Sequence, residues 1–158
     1  MGALRNHPAR KSLTVAVAGQ PNTGKSTLFN RLTGLNQRVG NWTGKTVDRK
    51  EGMAFWNGVA FTFVDLPGCY GMTPHSPEEE VARDYLLSGG PDVVLAVVNA
   101  ASVERSLYIV SELVALGLPV VVALNMTDVA DRPPPGPHRT HQAQWLQAAE
   151  HLRRLLAG

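Results

Sequence analysis

One eight-residue segment has the residue types and spacing of a loop that binds nucleotide phosphates. It reads Gly19-Gln-Pro-Asn-Thr-Gly-Lys-Ser26 and separates an apolar, β-rich stretch from a predicted helix. Glycines let backbone N–H groups curl around phosphate oxygens, and the helix N-terminus adds a favourable dipole. We expect Lys25 to reach the β- and γ-phosphates and the Ser26 hydroxyl to bind Mg²⁺. The expected nucleotide contacts of the loop and the first helical turn are Gly19, Asn22, Thr23, Gly24, Lys25, Ser26 and Thr27.

A second segment, Asp65-Leu-Pro-Gly68, follows a predicted strand and lies 40 residues after Lys25. Ligands of parallel α/β sheets bind at the carboxyl ends of the strands, which is the position of this segment. The Asp65 carboxylate can hold Mg²⁺ through water, and the Gly68 N–H can contact a γ-phosphate. The pattern D-x-x-G also occurs in ordinary turns. Its position 40 residues after Lys25, following the predicted hairpin, is what indicates a nucleotide site.

A third segment, Asn125-Met-Thr-Asp128, follows the last predicted strand and has the pattern that reads guanine. Asp128 can accept hydrogen bonds from guanine N1–H and the 2-amino group. Adenine offers neither group and would leave a buried carboxylate unpaired. Asn125 can brace the phosphate loop and contact the base, and Met126 lies between the two. An Asx turn after the strand is the alternative interpretation.

Apolar periodicity and turn residues predict the elements that position these segments. Strands are predicted at 13–18, 52–56, 59–64, 93–99 and 120–124, with a hairpin around Asn57-Gly58. The polar, glycine-containing residues 35–50 are predicted to be a long loop. This order predicts an α/β fold with a mostly parallel sheet, in which strand 52–56 is antiparallel.

Three helices are predicted between the strands. The first covers 26–32 and ends at Gly34, and the third ends at Gly117. Ser76 and Glu79 form a capping box at the start of the second helix, and Ser102 is predicted to cap the third.

The composition is that of one globular domain. The 158 residues are 44% hydrophobic and 18% charged, with a formal net charge of +2. Because acids and bases are well mixed, no nucleic-acid surface is expected. The single cysteine, Cys69, excludes an intramolecular disulfide and favours a reducing, cytoplasmic compartment. The longest apolar stretch, 113–126, falls short of the ~20 residues that span a bilayer.

Taken together, the motifs resemble those of the ferrous iron transport protein B (FeoB) family. The resemblance rests on 19–30, on Gln37-Arg-Val-Gly-Asn-Trp-Thr-Gly-Lys-Thr-Val47, on Lys50-Glu-Gly52, and on the segments that begin at Asp65 and Asn125. The Val-Gly-Asn-Trp42 piece is the most specific, since generic GTPases do not have it. The resemblance covers about residues 13–130.

This resemblance implies a Ras-like P-loop GTPase domain that uses GTP and Mg²⁺, with Asn22, Lys25, Thr46 and Gly68 as catalytic residues. By side-chain chemistry alone, Thr33 or Thr43 could bind Mg²⁺ as well as Thr46. The family pattern selects Thr46 as the second hydroxyl ligand of Mg²⁺, in addition to Ser26 and Asp65. Asn22 matches an asparagine that holds K⁺ together with backbone carbonyls of the Gly40-Asn41-Trp42 loop. Because Cys69 and not a water-orienting glutamine follows Gly68, backbone groups are expected to position the water and turnover is expected to be slow. The K⁺ at Asn22 is expected to stimulate it.

The chain departs from the family at Thr43, usually Pro, and at Lys45, usually apolar. The sequence after Asp128 does not match the sixth strand and base-contacting loop of a complete G domain, so the fold is expected to be truncated there, with weak nucleotide affinity. The implied partner is a membrane iron-permease domain, at the inner face of the inner membrane. A ribosome-associated GTPase and a nucleotide-gated interaction module without efficient hydrolysis are the alternative functions.

Four parts are predicted along the chain: a flexible tail (1–12), a G domain (13–130), a Pro-rich linker (131–139) and a C-terminal amphipathic helix (140–158). The helix has an apolar stripe that includes Trp145 and Leu152 and must be buried. A homodimer that exchanges this helix, and a helix packed on its own sheet, are the two alternatives.

Overall fold

The computed structural model describes residues 12–127. The predictions of a flexible tail before residue 12, of a role for Asp128, of the Pro-rich linker and of the C-terminal helix lie outside the described residues.

Residues 12–127 contain three helices and six strands, which are the five predicted strands and one more at 37–41. The strand whose absence is predicted after Asp128 would lie outside these residues. The strands are β1 Ser12–Gly19, β2 Gln37–Asn41, β3 Asp48–Trp56, β4 Val59–Asp65, β5 Val93–Asn99 and β6 Val120–Asn125. The helices are α1 Lys25–Thr33, α2 Pro77–Leu87 and α3 Val103–Ala115, and a 3₁₀ turn at Ala100–Ser102 precedes α3.

The strands form one sheet in the order β2-β3-β4-β1-β5-β6. Strand β1 is parallel to β4 and to β5, and β5 is parallel to β6. Strand β3 is antiparallel to both of its neighbours. The predicted α/β fold, mostly parallel with one antiparallel strand, is therefore confirmed. The carboxyl ends of β1, β4 and β6 share one edge of the sheet, and the three predicted motifs begin there.

Hydrophobic cores lie on both faces of the sheet. Under α1, Leu28 and Phe29 pack with Phe61 and Phe63. On the other face Leu86 of α2 and Ile109 and Leu113 of α3 pack over β1, β4 and β5. Because both faces are covered, β1 and β5 are buried on both sides, which explains their continuous apolar runs.

The prediction of a long loop over 35–50 was wrong. Residues 37–41 form β2, with Gln37 opposite Gly52 and Asn41 opposite Asp48, and β3 begins at Asp48 rather than at 52. Strand β2 lies at the end of the strand order, and four of its five residues are exposed. An exposed edge strand needs no apolar alternation, so the periodicity that identifies half-buried strands was missing.

The predicted turn and cap residues are confirmed, except for the Ser102 cap and the return bond of Glu79 in the capping box. Asn57 and Gly58 both have positive φ, as a two-residue hairpin requires. Gly34 and Gly117, with φ of 58° and 73°, follow α1 and α3. The Ser76 hydroxyl accepts a hydrogen bond from Glu79 N–H at 3.2 Å. Ser102, however, makes no capping bond; the Asn99 carboxamide accepts from Ala101 N–H instead, because a 3₁₀ turn precedes α3.

Candidate functional site

The loop between β1 and α1 contains a left-handed backbone conformation that glycine adopts more easily than other residues. Gly24 is the N-cap of α1 and has a φ of 79°, in the left-handed region. Thr23 is buried, and its hydroxyl donates to the Gln20 carbonyl at 2.9 Å. Lys25 follows as the first residue of α1, so the strand, loop and helix of the predicted phosphate site are all present.

Five of the predicted site residues line one open cavity of about 430 Å³: Lys25, Ser26, Thr46, Asp65 and Gly68. Lys25 comes from α1, Thr46 from the segment between β2 and β3, and Asp65 from the end of β4. Lys25 and Asp65 are 9% and 8% exposed and form an ion pair. Each charge satisfies the other, which allows both to be buried at the cavity wall.

The three threonines considered as Mg²⁺ ligands differ in their exposure and in whether they line this cavity. Thr46 is exposed and lines the cavity. Thr33 is buried in α1, and its hydroxyl donates to the Phe29 carbonyl at 2.8 Å. Thr43 is exposed and is not part of the cavity wall. The geometry therefore favours Thr46, which the family pattern had selected.

The segment after β4 lies directly against the phosphate loop. A Cβ on Gly68 would come within 2.9 Å of the Pro21 ring, and Cys69 N–H donates to the Gly19 carbonyl at 3.1 Å. The two segments predicted to surround the terminal phosphate are thus in contact. A displacement of the segment after β4 would therefore also displace the phosphate loop.

Asn125 joins the end of β6 to the phosphate loop. Its carboxamide nitrogen donates to the Thr23 carbonyl at 2.8 Å. A Cβ on Gly24 would overlap the same nitrogen, so this bond depends on glycine at position 24. Met126 follows, half-buried and with a φ of 58°. Asp128 lies outside the described residues.

Asn22 is at the tip of the phosphate loop. It is exposed, has a φ of 62° and is not part of the cavity wall. The expected carbonyl loop at 40–42 is not a loop: Gly40 and Asn41 belong to β2, opposite Arg49 and Asp48 of β3. The Trp42 carbonyl accepts from Lys45 N–H at 2.9 Å.

The segment that carries Thr46 is docked on α2, which the sequence did not predict. Trp42 is buried, its ring lies 5.1 Å from that of Tyr85 in an edge-on arrangement, and the Arg49 guanidinium lies 4.6 Å from its centre. Lys45 donates to Glu80 at 2.6 Å. Their hydrogen bond raises the pKa of Lys45 and lowers that of Glu80, as expected of an exposed pair.

Two carboxylates hold the segment after Gly68. Glu79 of α2 accepts from His75 N–H at 2.7 Å and Tyr70 N–H at 3.3 Å. The capping box had predicted that Glu79 would return to the cap residue, but its carboxylate reaches further back along the chain. Glu112 of α3 accepts from Met72 N–H at 2.7 Å. No local pattern marks Glu112, because its partner is 40 residues away.

Cys69 is fully buried in this segment, and burial raises the pKa of its thiol from 9.0 to about 11, with Glu79 adding to the rise. The folded pKa exceeds the unfolded one, so the protonated thiol contributes stability below pH 9 that is lost as the pH approaches 11. We expect the free energy of unfolding in urea to fall by roughly 2–3 kcal/mol more in wild type than in Cys69→Ala across this range. If the free energy of unfolding fell equally with pH in wild type and in Cys69→Ala, this expectation would be contradicted.

The oxygen donors of the cavity are of the kind that Mg²⁺ prefers: the Asp65 carboxylate and the Ser26 and Thr46 hydroxyls. In residues 12–127, no three His, Cys, Asp or Glu side chains lie together in a way that could hold a metal ion. Across the same residues, no helix combines the length and apolar character needed to cross a membrane.

A six-stranded α/β sheet with Lys25, Asp65 and Asn125 converging at the ends of its strands defines a G domain of the P-loop GTPase class. The sequence model of ferrous iron transport protein B matches residues 13–134. The chain belongs to the ferrous iron transport protein B family.

Relatives and solved structures agree with this assignment. The Fe(2+) transporters FeoB of Salmonella typhimurium and Escherichia coli K12 are each 49% identical over 126 residues, which is 77% of this chain and 16% of theirs. The chain thus spans about a sixth of the length of these relatives. The G domain of the T. maritima FeoB iron transporter superposes with a TM-score of 0.72 at 43% identity, covering 75% of each chain. A GDP-bound variant of the S. thermophilus FeoB G domain gives 0.70 at 54% identity, covering 74% of this chain and 45% of its own.

Proposed function

We propose that this domain binds GTP and GDP and hydrolyses GTP with Mg²⁺. The observation that carries the proposal is the single cavity lined by Lys25, Ser26, Thr46, Asp65 and Gly68. Lys25 would exchange Asp65 for the β- and γ-phosphates, and Asp65, Ser26 and Thr46 would hold Mg²⁺. The metal neutralises charge on the phosphates when bound. The Gly68 N–H would contact the γ-phosphate.

Guanine selectivity is assigned to Asn125 and Asp128. The Asn125 carboxamide joins the end of β6 to the phosphate loop through the Thr23 carbonyl, which supports its proposed place between the base and the phosphates. The GDP in the S. thermophilus structure supports a guanine nucleotide here. Asp128 would accept from guanine N1–H and the 2-amino group, and adenine would leave that carboxylate unpaired.

Calorimetric titration tests the nucleotide. We expect GDP and GTP to bind at least about 100-fold more tightly than ATP, since a buried acceptor without its donor is costly. Comparable affinity for ATP would contradict the guanine assignment. Phosphate release from GTP tests the hydrolysis. Tight GTP binding with no release would favour the alternative, a nucleotide-gated interaction module.

We assign the attacking water to backbone groups of the segment after Gly68, because Cys69 is buried and offers no carboxamide. Turnover is therefore slow. Hydrolysis is proposed to use K⁺ at Asn22, whose side chain is exposed at the tip of the phosphate loop. The carbonyls of Asn41 and Trp42 are proposed to join this cation, and the Trp42 carbonyl accepts from Lys45 N–H in the structure.

This proposal predicts that replacing Na⁺ by K⁺ speeds GTP hydrolysis by at least about tenfold, because a cation there stabilises charge developing on the β–γ bridge. Asn22→Ala should abolish the difference while leaving GDP affinity within about threefold. The rates are measured as phosphate release at constant ionic strength. A K⁺ response that survives in Asn22→Ala would place the cation elsewhere.

For the whole protein, we propose a bacterial ferrous iron uptake transporter in which this domain regulates a membrane permease domain at the cytoplasmic face. The support is family membership and the greater length of the Fe(2+) transporter relatives, of which the matched 126 residues are 16%. Ferrous iron uptake that persists unchanged in cells carrying Lys25→Ala would contradict this role.

Self-association is a separate proposal: a homodimer that exchanges the helix predicted at 140–158. Strand β6 ends the described strand order, and Val122 and Leu124 on it are half exposed, as at an edge that another chain can cover. Light scattering during size exclusion should give twice the monomer mass. A monomer at tens of micromolar, or a dimer that survives Trp145→Ala, would reject helix exchange.

A further inference from the structure

Helix α3 is hydrogen-bonded to both loops of the nucleotide site. In its first turn, the Arg105 carbonyl accepts from the Gln20 side chain of the phosphate loop at 2.6 Å. Two turns further on, the Glu112 carboxylate accepts from Met72 N–H at 2.7 Å. The helix therefore fixes the distance between the phosphate loop and the segment after Gly68.

The Glu112 contact is close and specific. A Cβ on Gly71 would lie 2.8 Å from the Glu112 carboxylate and 3.1 Å from the Tyr108 ring, so the backbone passes directly against α3. Met72 itself packs on the core beneath. A hydrogen bond from a backbone N–H to a carboxylate is stronger than one between neutral groups. The segment is thus held at Met72 by α3 and at Cys69 by the Gly19 carbonyl.

We infer that Glu112 is a positioning residue for GTP hydrolysis, holding Gly68–Met72 against the phosphate loop. The inference rests on the proposed GTPase function. Glu112 does not line the cavity and acts only through Met72. Its effect falls on the step that needs Gly68 at the γ-phosphate, while GDP binding uses the phosphate loop and the base contacts.

The test compares Glu112→Ala with Glu112→Gln in the full chain. Glutamine keeps an acceptor oxygen at the same reach, whereas alanine leaves Met72 N–H without a partner. In Glu112→Ala we expect the Met72 amide to exchange with deuterium at least about tenfold faster, and kcat for GTP to fall about tenfold. KM for GTP and the Kd of GDP should change less than about twofold. Glu112→Gln should restore kcat to within about threefold of wild type. Glu104→Ala, an exposed position on the same helix, should match wild type.

An unchanged Met72 exchange rate in Glu112→Ala overturns the inference, as does an unchanged kcat. A kcat loss that Glu112→Gln does not rescue also overturns it, because the charge and not the hydrogen bond would then matter. If wild type itself releases no phosphate from GTP, the proposed function fails, and the exchange rates still report whether Glu112 holds Met72.

Discussion

Lys25→Ala is expected to lower kcat/KM for GTP by about a thousandfold or more. Lys25 is the charged group that the cavity presents from the phosphate loop, and it is placed to follow charge on the β- and γ-phosphates during transfer. In the structure its ammonium group is paired with Asp65, a partner that the phosphates would replace. Single-turnover phosphate release, with GTP in the absence and presence of excess Mg²⁺, measures the loss.

Two control variants separate chemistry from folding. Lys50→Ala removes the same charge from the same cavity but from β3, and should cost less than about fivefold. Lys25→Ala leaves Asp65 unpaired at 8% exposure, so the variant should also be destabilised. Lys25→Ala/Asp65→Asn should recover stability in thermal unfolding, because the unpaired carboxylate is then gone. A double variant as unstable as Lys25→Ala would mean that the ion pair is not the cause of the destabilisation.

Gly24→Ala is expected to weaken both GDP and GTP binding by about 100-fold or more. Alanine at a φ of 79° is strained by roughly 1–2 kcal/mol. In addition, its Cβ would overlap the Asn125 carboxamide nitrogen, so Asn125 must move and its bond to the Thr23 carbonyl must break. The phosphate loop and the proposed base-contacting residues then lose the hydrogen bond that joins them. Fluorescent GDP titration measures the affinity.

Gly117→Ala is the matched control, because Gly117 has a φ of 73° but nothing within 4 Å of its Cβ position. It should lose stability through backbone strain alone and keep nucleotide affinity within about twofold. Asn125→Ala in the Gly24→Ala background distinguishes the two causes. If the collision matters, the double variant binds no worse than Asn125→Ala by itself. A Gly24→Ala protein that binds GDP within threefold of wild type would contradict the bracing role.

The sequence by itself identified the residues proposed for the chemistry and determined most of the local structure. The phosphate loop, Asp65-Leu-Pro-Gly68 and Asn125 were identified because each combines a short residue pattern with a strand end, and both properties are local. The hairpin at Asn57-Gly58 and the Ser76 cap were also predictable. Their hydrogen bonds and positive φ angles are decided by neighbours within a few residues.

Tertiary structure alone decided which distant groups meet. Strand β2 was missed because an exposed edge strand is held by pairing to β3 and leaves no apolar period in the sequence. Two contacts join segments 40 or more residues apart: the packing of Trp42 against Tyr85 of α2, and the hydrogen bond from Met72 N–H to Glu112. Such contacts depend on strand order and helix placement, which no short pattern encodes. The sequence therefore supplied the groups of the site, while the packing of α2 and α3 decided how its two loops are held.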